Sequence, residues 1–175
     1  SSAASDVYKR QKYEAKITAA KSLGLRLKGI TGNFDKKHYL SIHNYLFEDI
    51  YPFAGKLREE NISKGEFRFA SFEYVEPELE RILEQLKKEN FLEGTSKKQL
   101  AERLAYYLSE LNVLHPFREG NGRTNREFIR QLALKNGYIL NLKNTSPKQV
   151  LDASIKSVAD TSDLENIIEK MLESE

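Results

Sequence analysis

Residues 115–126 read His-Pro-Phe-Arg-Glu-Gly-Asn-Gly-Arg-Thr-Asn-Arg and bring a histidine, a carboxylate, two glycines and arginines close together. Gly120 to Gly122 has the composition of a tight turn, and the apolar periodicity from Arg123 to Lys135 predicts a helix after it. The first turn of a helix has unpaired backbone N–H groups, and the helix dipole favours an anion there. The stretch therefore predicts a phosphate-binding site.

The predicted helix separates its charged residues from its apolar residues. Arg123, Arg126 and Arg130 recur at spacings that place them on one face. The opposite face is apolar: Phe128, Ile129, Leu132 and Ala133. Because guanidinium groups bind phosphate oxygens through paired hydrogen bonds, the arginines are expected to extend the site along a polyphosphate. The alternative is that the arginines form a solvated face and that His115 and Phe117 are ordinary loop and core residues.

The composition is that of a globular domain. The chain has 175 residues, of which 39% are hydrophobic, and this favours one domain with its own core. The absence of cysteine excludes disulfides and agrees with a reducing compartment. No apolar run approaches the length of a membrane span, and the N-terminal residues lack the apolar core of a signal peptide. A cytoplasmic location is expected, with secretion into a host cell as the alternative, and no membrane partner.

The charge balance argues against a nucleic-acid partner. The chain has 28 basic and 26 acidic residues, so its net charge is only +2. No global field marks a nucleic-acid binder, and any anion site must be local. A nucleic-acid-binding helical domain would need a basic stripe with interleaved aromatic residues, whereas the arginines here follow a glycine turn.

Hydrophobic periodicity predicts a mainly α fold, a single helical bundle without repeats or linkers. Helices are expected from Asp6 to Gly24 or Gly29, after an N-cap within residues 33–35, from Glu76-Pro77, after Ser96, after Ser146, and from about Ser162 to Leu172. The helix after Ser96 delivers His115 at its end. His38 and His43 have no third ligand near them in the sequence, so a metal site there is not expected.

The segment from Leu57 to Ala70 interrupts the helical pattern. Lys64-Gly65 has turn composition, and Phe67 and Phe69 alternate with Arg68 at the period of a strand. A short β-hairpin is therefore predicted. On periodicity alone, it would be an edge hairpin that covers part of the core.

Residues 115–126 resemble the signature of the Fic family (filamentation induced by cAMP), which is His-Pro-Phe-any-Asp/Glu-Gly-Asn-Gly-Arg-any-any-Arg. Every fixed position of that pattern is filled. The resemblance spans roughly residues 31–172 and implies a Fic domain over residues 31–175, with its motif at 115–126 and a β-hairpin flap at about 61–70. Residues 1–30 are expected to form an N-terminal helical extension of the same domain.

The resemblance implies a protein adenylyltransferase, which transfers AMP from ATP to a Ser, Thr or Tyr hydroxyl of a target protein and releases pyrophosphate. His115 would be the general base, because it can accept the hydroxyl proton near neutral pH. Glu119 would be a ligand of Mg²⁺, which prefers hard oxygen donors. The residues expected to bind the nucleotide are Gly120, Asn121 (through its backbone and its side-chain amide), Gly122, Arg123 and Arg126.

The resemblance also gives the predicted hairpin a function. The hairpin is similar to the flap of Fic proteins, which aligns a target peptide by main-chain pairing. The protein substrate would thus dock on Ile62, Lys64, Gly65, Phe67, Arg68 and Phe69.

Other activities within the family leave different signatures. The kinase-like Doc branch has Ala-Asn-Lys where this chain has Gly120 to Gly122, and degenerate members lack the equivalent of His115 or Glu119. AMP transfer is therefore favoured. The alternatives that stay open are a catalytically idle peptide-binding Fic module, transfer of another nucleotide-derived group, and removal of AMP.

Many Fic proteins are inhibited by a glutamate from the motif Ser/Thr-any-any-any-Glu-Gly/Asn, which pairs with the second motif arginine, here Arg126. The match in this chain is Thr161 to Asn166, with Glu165 as the glutamate, and it falls in a predicted core helix. The favoured sources of the glutamate are therefore a separate small antitoxin chain or a segment beyond Glu175. The resemblance thus implies a toxin or effector of bacterial type.

Overall fold

The computed structural model of the chain describes residues 2–141 and 145–175, and this part is mainly α-helical, as predicted. The helices are α1 (Ser2–Lys28), α2 (Lys36–Phe47), α3 (Phe72–Lys88), α4 (Lys97–Leu114), α5 (Asn121–Lys135), α6 (Pro147–Lys156) and α7 (Ser162–Met171), with a short 3-10 helix at Asn90–Leu92. The strands are β1 (Ser63–Lys64), β2 (Phe67–Arg68), β3 (Tyr138–Leu140) and β4 (Leu172–Ser174).

Helix α4 lies at the centre of the core, where α3, α5 and α7 pack against it. Its buried leucines and Tyr107 recur every three or four residues and face these neighbours. Its first turn is fixed by a capping box, in which Ser96 Oγ accepts from Gln99 N (3.2 Å) and Gln99 Oε1 accepts from Ser96 N (3.1 Å). Because both the start and the packing of α4 are fixed, the position of His115 just after its last residue is fixed too.

Stacked aromatic rings join α2 to the loop between α4 and α5. The Tyr39 ring of α2 stacks on Phe117 of the loop, with ring centroids 5.5 Å apart. It also meets Phe128 of α5 edge to face at 5.5 Å. All three side chains are fully buried, so α2 forms the support beneath the predicted phosphate site.

Helices α1 and α3 begin earlier in the chain than predicted. Helix α1 begins at Ser2 instead of Asp6, and it ends before Gly29, one of the two glycines expected to close it, whose backbone is left-handed (φ 69°). Helix α3 begins at Phe72, so Pro77 lies inside it rather than in its first turn. A proline there has no N–H for the carbonyl of Glu73, but Glu73 is exposed and water can take this role.

A second small sheet was not predicted from the sequence. Helix α7 ends at Met171, one residue earlier than expected, and β4 follows it directly. β4 pairs antiparallel with β3, with Leu140 opposite Leu172. This pairing attaches the C-terminal segment to the residues just after α5. None of the described helices is both long and apolar enough to cross a membrane.

Candidate active site

The loop between α4 and α5 has a left-handed residue at each end. His115, the C-cap of α4, has φ 49° and ψ 62°, and Gly120, the N-cap of α5, has φ 83° and ψ 13°. These two residues reverse the chain within a short loop, and the reversal places His115 beside the N-terminus of α5.

A pair of hydrogen bonds closes this loop. Phe117 N donates to Asn121 Oδ1 (2.8 Å), and Asn121 Nδ2 donates to Phe117 O (2.7 Å). The Asn121 side chain is buried, and both ends of its amide are used. The side chain thus holds the loop; Nδ2 has a second N–H, so phosphate binding by this amide stays a prediction. The backbone N–H groups at the start of α5 remain the donors for an anion.

Gly120 and Gly122 have no side chain, and a neighbouring side chain lies close to each of them. A Cβ atom at Gly120 would collide with the Phe47 ring of α2. A Cβ atom at Gly122 would lie 2.8 Å from Nη1 of Arg126, so this guanidinium passes close over the helix start. The small size of both residues thus allows the loop to rest on α2 and lets Arg126 approach the phosphate site.

The arginines of α5 differ in their surroundings. Arg126 is partly buried, and its guanidinium has no hydrogen bond or ion pair with residues 2–141 and 145–175. Burial, and then the charge of Arg123, lower the pKa of Arg126. Arg123 is exposed at the rim of the site. Arg130 was expected to extend the phosphate site, but it pairs with Glu127 (2.7 Å) and lines neither of the cavities described next.

A polar cavity of about 420 Å³ lies over the start of α5. It is lined by the residues of the phosphate site together with Gln11, Glu14, Ala15 and Thr18 of α1 and with Phe47, Ile50 and Tyr51. The sequence had not indicated that α1 forms a wall of the site. Helix α1 has no continuous apolar face, so periodicity offered no signal for this contact.

An apolar cavity of about 910 Å³ lies on the other side of His115. Its apolar lining is Phe67, Phe69, Val113, Val150, Leu151, Ile155 and Val158. Three of these side chains, Leu151, Ile155 and Val158, are 57%, 66% and 54% exposed and form an uncovered wall on α6 and just beyond it. Four residues line both cavities: His115, Asn121, Gly122 and Arg126. The two cavities therefore meet at the histidine and at the helix start.

The imidazole of His115 is packed and neutral. The Phe69 ring stacks on it with ring centroids 3.9 Å apart and an interplanar angle of 10°. Burial lowers its pKa to about 4, with further contributions from the charges of Arg58 and Lys64. A histidine with this pKa is unprotonated at pH 7, so it can accept a proton.

His43 holds the loop from the side of α2. Its Nδ1 accepts from Gly55 N (2.9 Å), so Nε2 carries the proton and donates to Glu119 O (2.9 Å). Its ring stacks on Phe117 with centroids 3.7 Å apart, and burial lowers its pKa to about 4. His43 is thus a positioning residue for the loop. From the sequence, His43 was considered only as a possible metal ligand, and this role in the loop was not predicted.

Glu119 is exposed, and its carboxylate forms no hydrogen bond or ion pair with the described residues. It lies at the polar cavity, near the helix start. No trio of His, Cys, Asp or Glu in the described chain could hold a metal alone. The residues therefore fit a cation held by one carboxylate together with the oxygens of a bound ligand and water, as is usual for Mg²⁺.

The predicted hairpin is present and reaches over His115. β1 and β2 pair with Lys64 opposite Phe67, and Gly65 (φ 61°) begins the turn between them, one residue later than predicted. Phe69 N donates to Ile62 O (3.2 Å) and continues the pairing. Because backbone direction alternates along a strand, Arg68 turns its N–H and C=O outward. Its outer edge is therefore free to pair with another strand.

Comparison with known proteins gives one family. The Fic/DOC family model matches residues 33–133. The protein adenylyltransferase VbhT of Bartonella schoenbuchensis is 40% identical over 159 residues, which are 91% of this chain and 33% of that protein. A protein adenylyltransferase of Bartonella henselae is 31% identical over 163 residues, 85% of this chain and 30% of that protein. The chain thus spans about a third of the length of each of these two relatives.

A solved structure agrees with these relatives. The N-terminal Fic domain of a VirB-translocated Bep effector protein from Bartonella quintana, solved with bound ADP, has a TM-score of 0.87 to this chain. The sequence identity is 25%, and the match covers 96% of this chain and 86% of that chain.

The backbone of Gly120 provides a test of the loop geometry. We expect Gly120→Ala to lower the free energy of unfolding by about 1–2 kcal/mol for the left-handed backbone and further for the collision with Phe47. Gly94→Ala is the matched control, because Gly94 also has a positive φ (79°) but no atom near its missing Cβ. Urea denaturation measures the free energy of unfolding of both variants. Equal losses in the two variants would contradict the proposed contact with Phe47.

Proposed function

The chain belongs to the Fic/DOC family, and we propose that it is a protein adenylyltransferase that transfers AMP from ATP to a hydroxyl of a target protein. The observation that carries this proposal is the position of the Arg126 guanidinium. It lies partly buried and without an acidic partner in the described chain, over the start of α5 and beside the neutral His115. This arrangement suits a polyphosphate next to a base.

The phosphates are assigned to the polar cavity. The backbone N–H groups of Asn121 and Gly122 would bind them at the positive end of the α5 dipole. Arg126 would bind the outer phosphates from the buried side, and Arg123 from the exposed rim. Support comes from the related Bep Fic domain, which was solved with bound ADP.

The nucleobase is assigned to the apolar cavity. A ligand whose phosphates lie at Gly122 and Arg126 would lie next to this cavity, because both residues line both cavities. A base would cover part of the exposed wall of Leu151 and Ile155 on α6 and gain apolar burial there.

His115 would serve as the general base of the transfer. Its imidazole accepts the proton of the target hydroxyl as the hydroxyl oxygen bonds to the α-phosphorus of ATP. The bond from that phosphorus to the bridging oxygen breaks, and pyrophosphate leaves. The charge that develops on the phosphates faces the N–H groups of α5 and Arg126. Mg²⁺, held by Glu119 and phosphate oxygens, would supply additional positive charge.

The flap is proposed to present the target protein. A peptide that pairs with the outer edge of β2 would run beside Phe69, whose ring stacks on His115. Main-chain pairing fixes the direction of the peptide without restricting its sequence. The docked hydroxyl would thus be held at the imidazole.

One experiment tests the proposed reaction directly. The protein is incubated with Mg²⁺, ATP labelled in its α-phosphate, and bacterial or eukaryotic lysate. Labelled protein bands are then identified by mass spectrometry, and the expected mass addition is that of AMP. A different added mass on a labelled protein would redirect the proposal to transfer of another group that contains the α-phosphate of ATP. Absence of any labelled protein at all ATP concentrations would refute it.

We expect His115→Ala to lower AMP transfer at least about 100-fold, because general-base catalysis contributes a factor of this order. ATP binding, measured by calorimetry, should remain close to wild type, since the base contacts the hydroxyl and not the phosphates.

In the wild type, the pKa of about 4 predicts that the rate stays level as the pH falls from 8 to about 5 and drops as His115 becomes protonated at lower pH. A lower limb near pH 6.5 would contradict the assigned environment of His115.

We expect Arg68→Pro to reduce transfer to protein targets, because it removes the outward N–H of β2 and leaves the bonds between the flap strands intact. Ser63→Pro is the matched control, since Ser63 pairs with Arg68 and turns its N–H to the opposite edge of the hairpin. Circular dichroism checks folding, and KM for the target measures docking. An unchanged KM in a folded Arg68→Pro variant would show that the target does not dock on β2.

Inhibition is proposed to come from a glutamate outside residues 1–175, with a small antitoxin chain as its source. Glu165 of α7 accepts a hydrogen bond from Thr161 Oγ1 (2.8 Å) and lines neither cavity. A carboxylate that entered the polar cavity would instead pair with Arg126, which has no acidic partner among the described residues, and would repel the γ-phosphate.

We therefore expect Glu165→Gly to leave the rate of AMP transfer of the isolated chain within about twofold of wild type, apart from a modest loss of helix stability. The rate is measured with labelled ATP at a temperature at which both proteins are folded. If the isolated wild type were inactive and Glu165→Gly activated it, the internal glutamate would be the inhibitor and the external source would be rejected.

A further inference from the structure

Arg58 is a buried arginine that no carboxylate neutralises in the described part of the chain. Its side chain is 3% exposed, and burial lowers the pKa of its guanidinium. Arginines are rarely buried without an acidic partner, because an uncompensated charge loses the solvation that water provides. The positive charge of Arg58 must therefore be stabilised by dipoles, and its contacts show which ones.

Among residues 2–141 and 145–175, the acceptors of the guanidinium are all backbone carbonyls. Its Nε donates to His115 O (2.7 Å), and its Nη2 donates to Leu114 O (3.2 Å). Its Nη1 donates to Glu60 O (2.9 Å), and its Nη2 also donates to Ala70 O. These bonds use four of the five N–H groups of an arginine side chain.

The four carbonyls belong to two parts of the active site. Leu114 is the last residue of α4 and His115 is its C-cap, so their carbonyls lie at the negative end of the α4 dipole. Glu60 and Ala70 lie at the two ends of the flap. A single planar group therefore connects the base to both ends of the segment that covers it.

The backbone of Arg58 adds a further connection to the same loop. Its N–H donates to Pro116 O (2.9 Å), the carbonyl next to that of His115. A left-handed backbone is uncommon for a residue with a side chain. In His115 it is held by the hydrogen bonds that Arg58 donates to the carbonyls of His115 and Pro116. The ring of Phe69, just before the flap end at Ala70, then stacks on the imidazole.

We propose that Arg58 is a positioning residue that fixes the flap and His115 in one arrangement, so that a hydroxyl docked on the flap meets the imidazole. The function of this arrangement rests on the proposed AMP transfer. Arg58 contacts neither cavity, so it acts through the carbonyls and not on the nucleotide. Its loss should therefore impair the use of the protein target and leave ATP binding unchanged.

The test compares Arg58→Met, which removes the N–H groups at similar volume, with Arg58→Lys, which retains a charge and some donors. Arg103→Met is the control for general destabilisation. Arg103 is another partly buried arginine, but it binds Glu89 (2.7 Å and 2.8 Å) and lines neither cavity. Melting temperature, calorimetric ATP affinity, hydrogen exchange and AMP transfer are measured for the full chain of each variant.

In Arg58→Met we expect exchange at residues 60–70 and 114–117 to be at least about tenfold faster, whereas exchange in α2 should be unchanged. Transfer should fall about 100-fold, the order expected for misplacement by an ångström, with ATP affinity within twofold. In Arg58→Lys, both the exchange at residues 60–70 and 114–117 and the rate of transfer should lie between those of Arg58→Met and wild type. Arg103→Met should lower the melting temperature without changing flap exchange or transfer.

Two results would overturn the proposal. One is wild-type flap exchange in Arg58→Met, or in Arg58→Lys if the Met variant does not fold. The other is a faster-exchanging flap with a wild-type rate of transfer. A wild-type protein without any transfer activity would count against the proposed function alone, and the exchange data would still decide whether Arg58 holds the flap to His115.

Discussion

The pair of hydrogen bonds between Asn121 and the backbone of Phe117 is the interaction on which the site depends. Phe117 is fully buried, so without the amide its N–H and C=O would lack partners at a cost of about 1–3 kcal/mol each. With the amide in place, the loop is closed, His115 faces the start of α5, and the N–H groups of α5 point into the polar cavity. The apolar support from Tyr39 and His43 then rests on a loop that already has a defined shape.

The site combines a neutral base with cations that lack acidic partners among the described residues. Desolvation keeps His115 unprotonated, and the cationic charge of Arg58 acts in the same direction. Arg126 is charged and has no acidic partner among the described residues. An anionic ligand therefore gains more electrostatic binding free energy there than it would at an exposed arginine. Burial therefore acts on both groups, since it favours the neutral imidazole and removes water from the guanidinium.

Much of the fold and the central part of the site could be predicted from the sequence, because both are encoded in local spacing. Caps such as Ser96 and the glycine turn at Gly120 act on neighbouring residues, so a linear pattern reveals them. The contributions of Arg58 and His43 could not be predicted, because their partners are mostly backbone atoms, which any residue supplies. The pairing of β3 with β4 joins short segments far apart in the chain, and it depends on the completed core.

The residues that the two cavities share have a consequence for ligand design. His115, Gly122 and Arg126 border both, so a compound could carry an anionic group for one cavity and an aromatic ring for the other across a short spacer. Once one end is bound, the other is presented at a high effective concentration, and the affinities of two weak fragments combine. A rigid spacer matched to the separation of the two cavities at His115 would lose the least entropy, and it would occupy the position that both reacting partners must share.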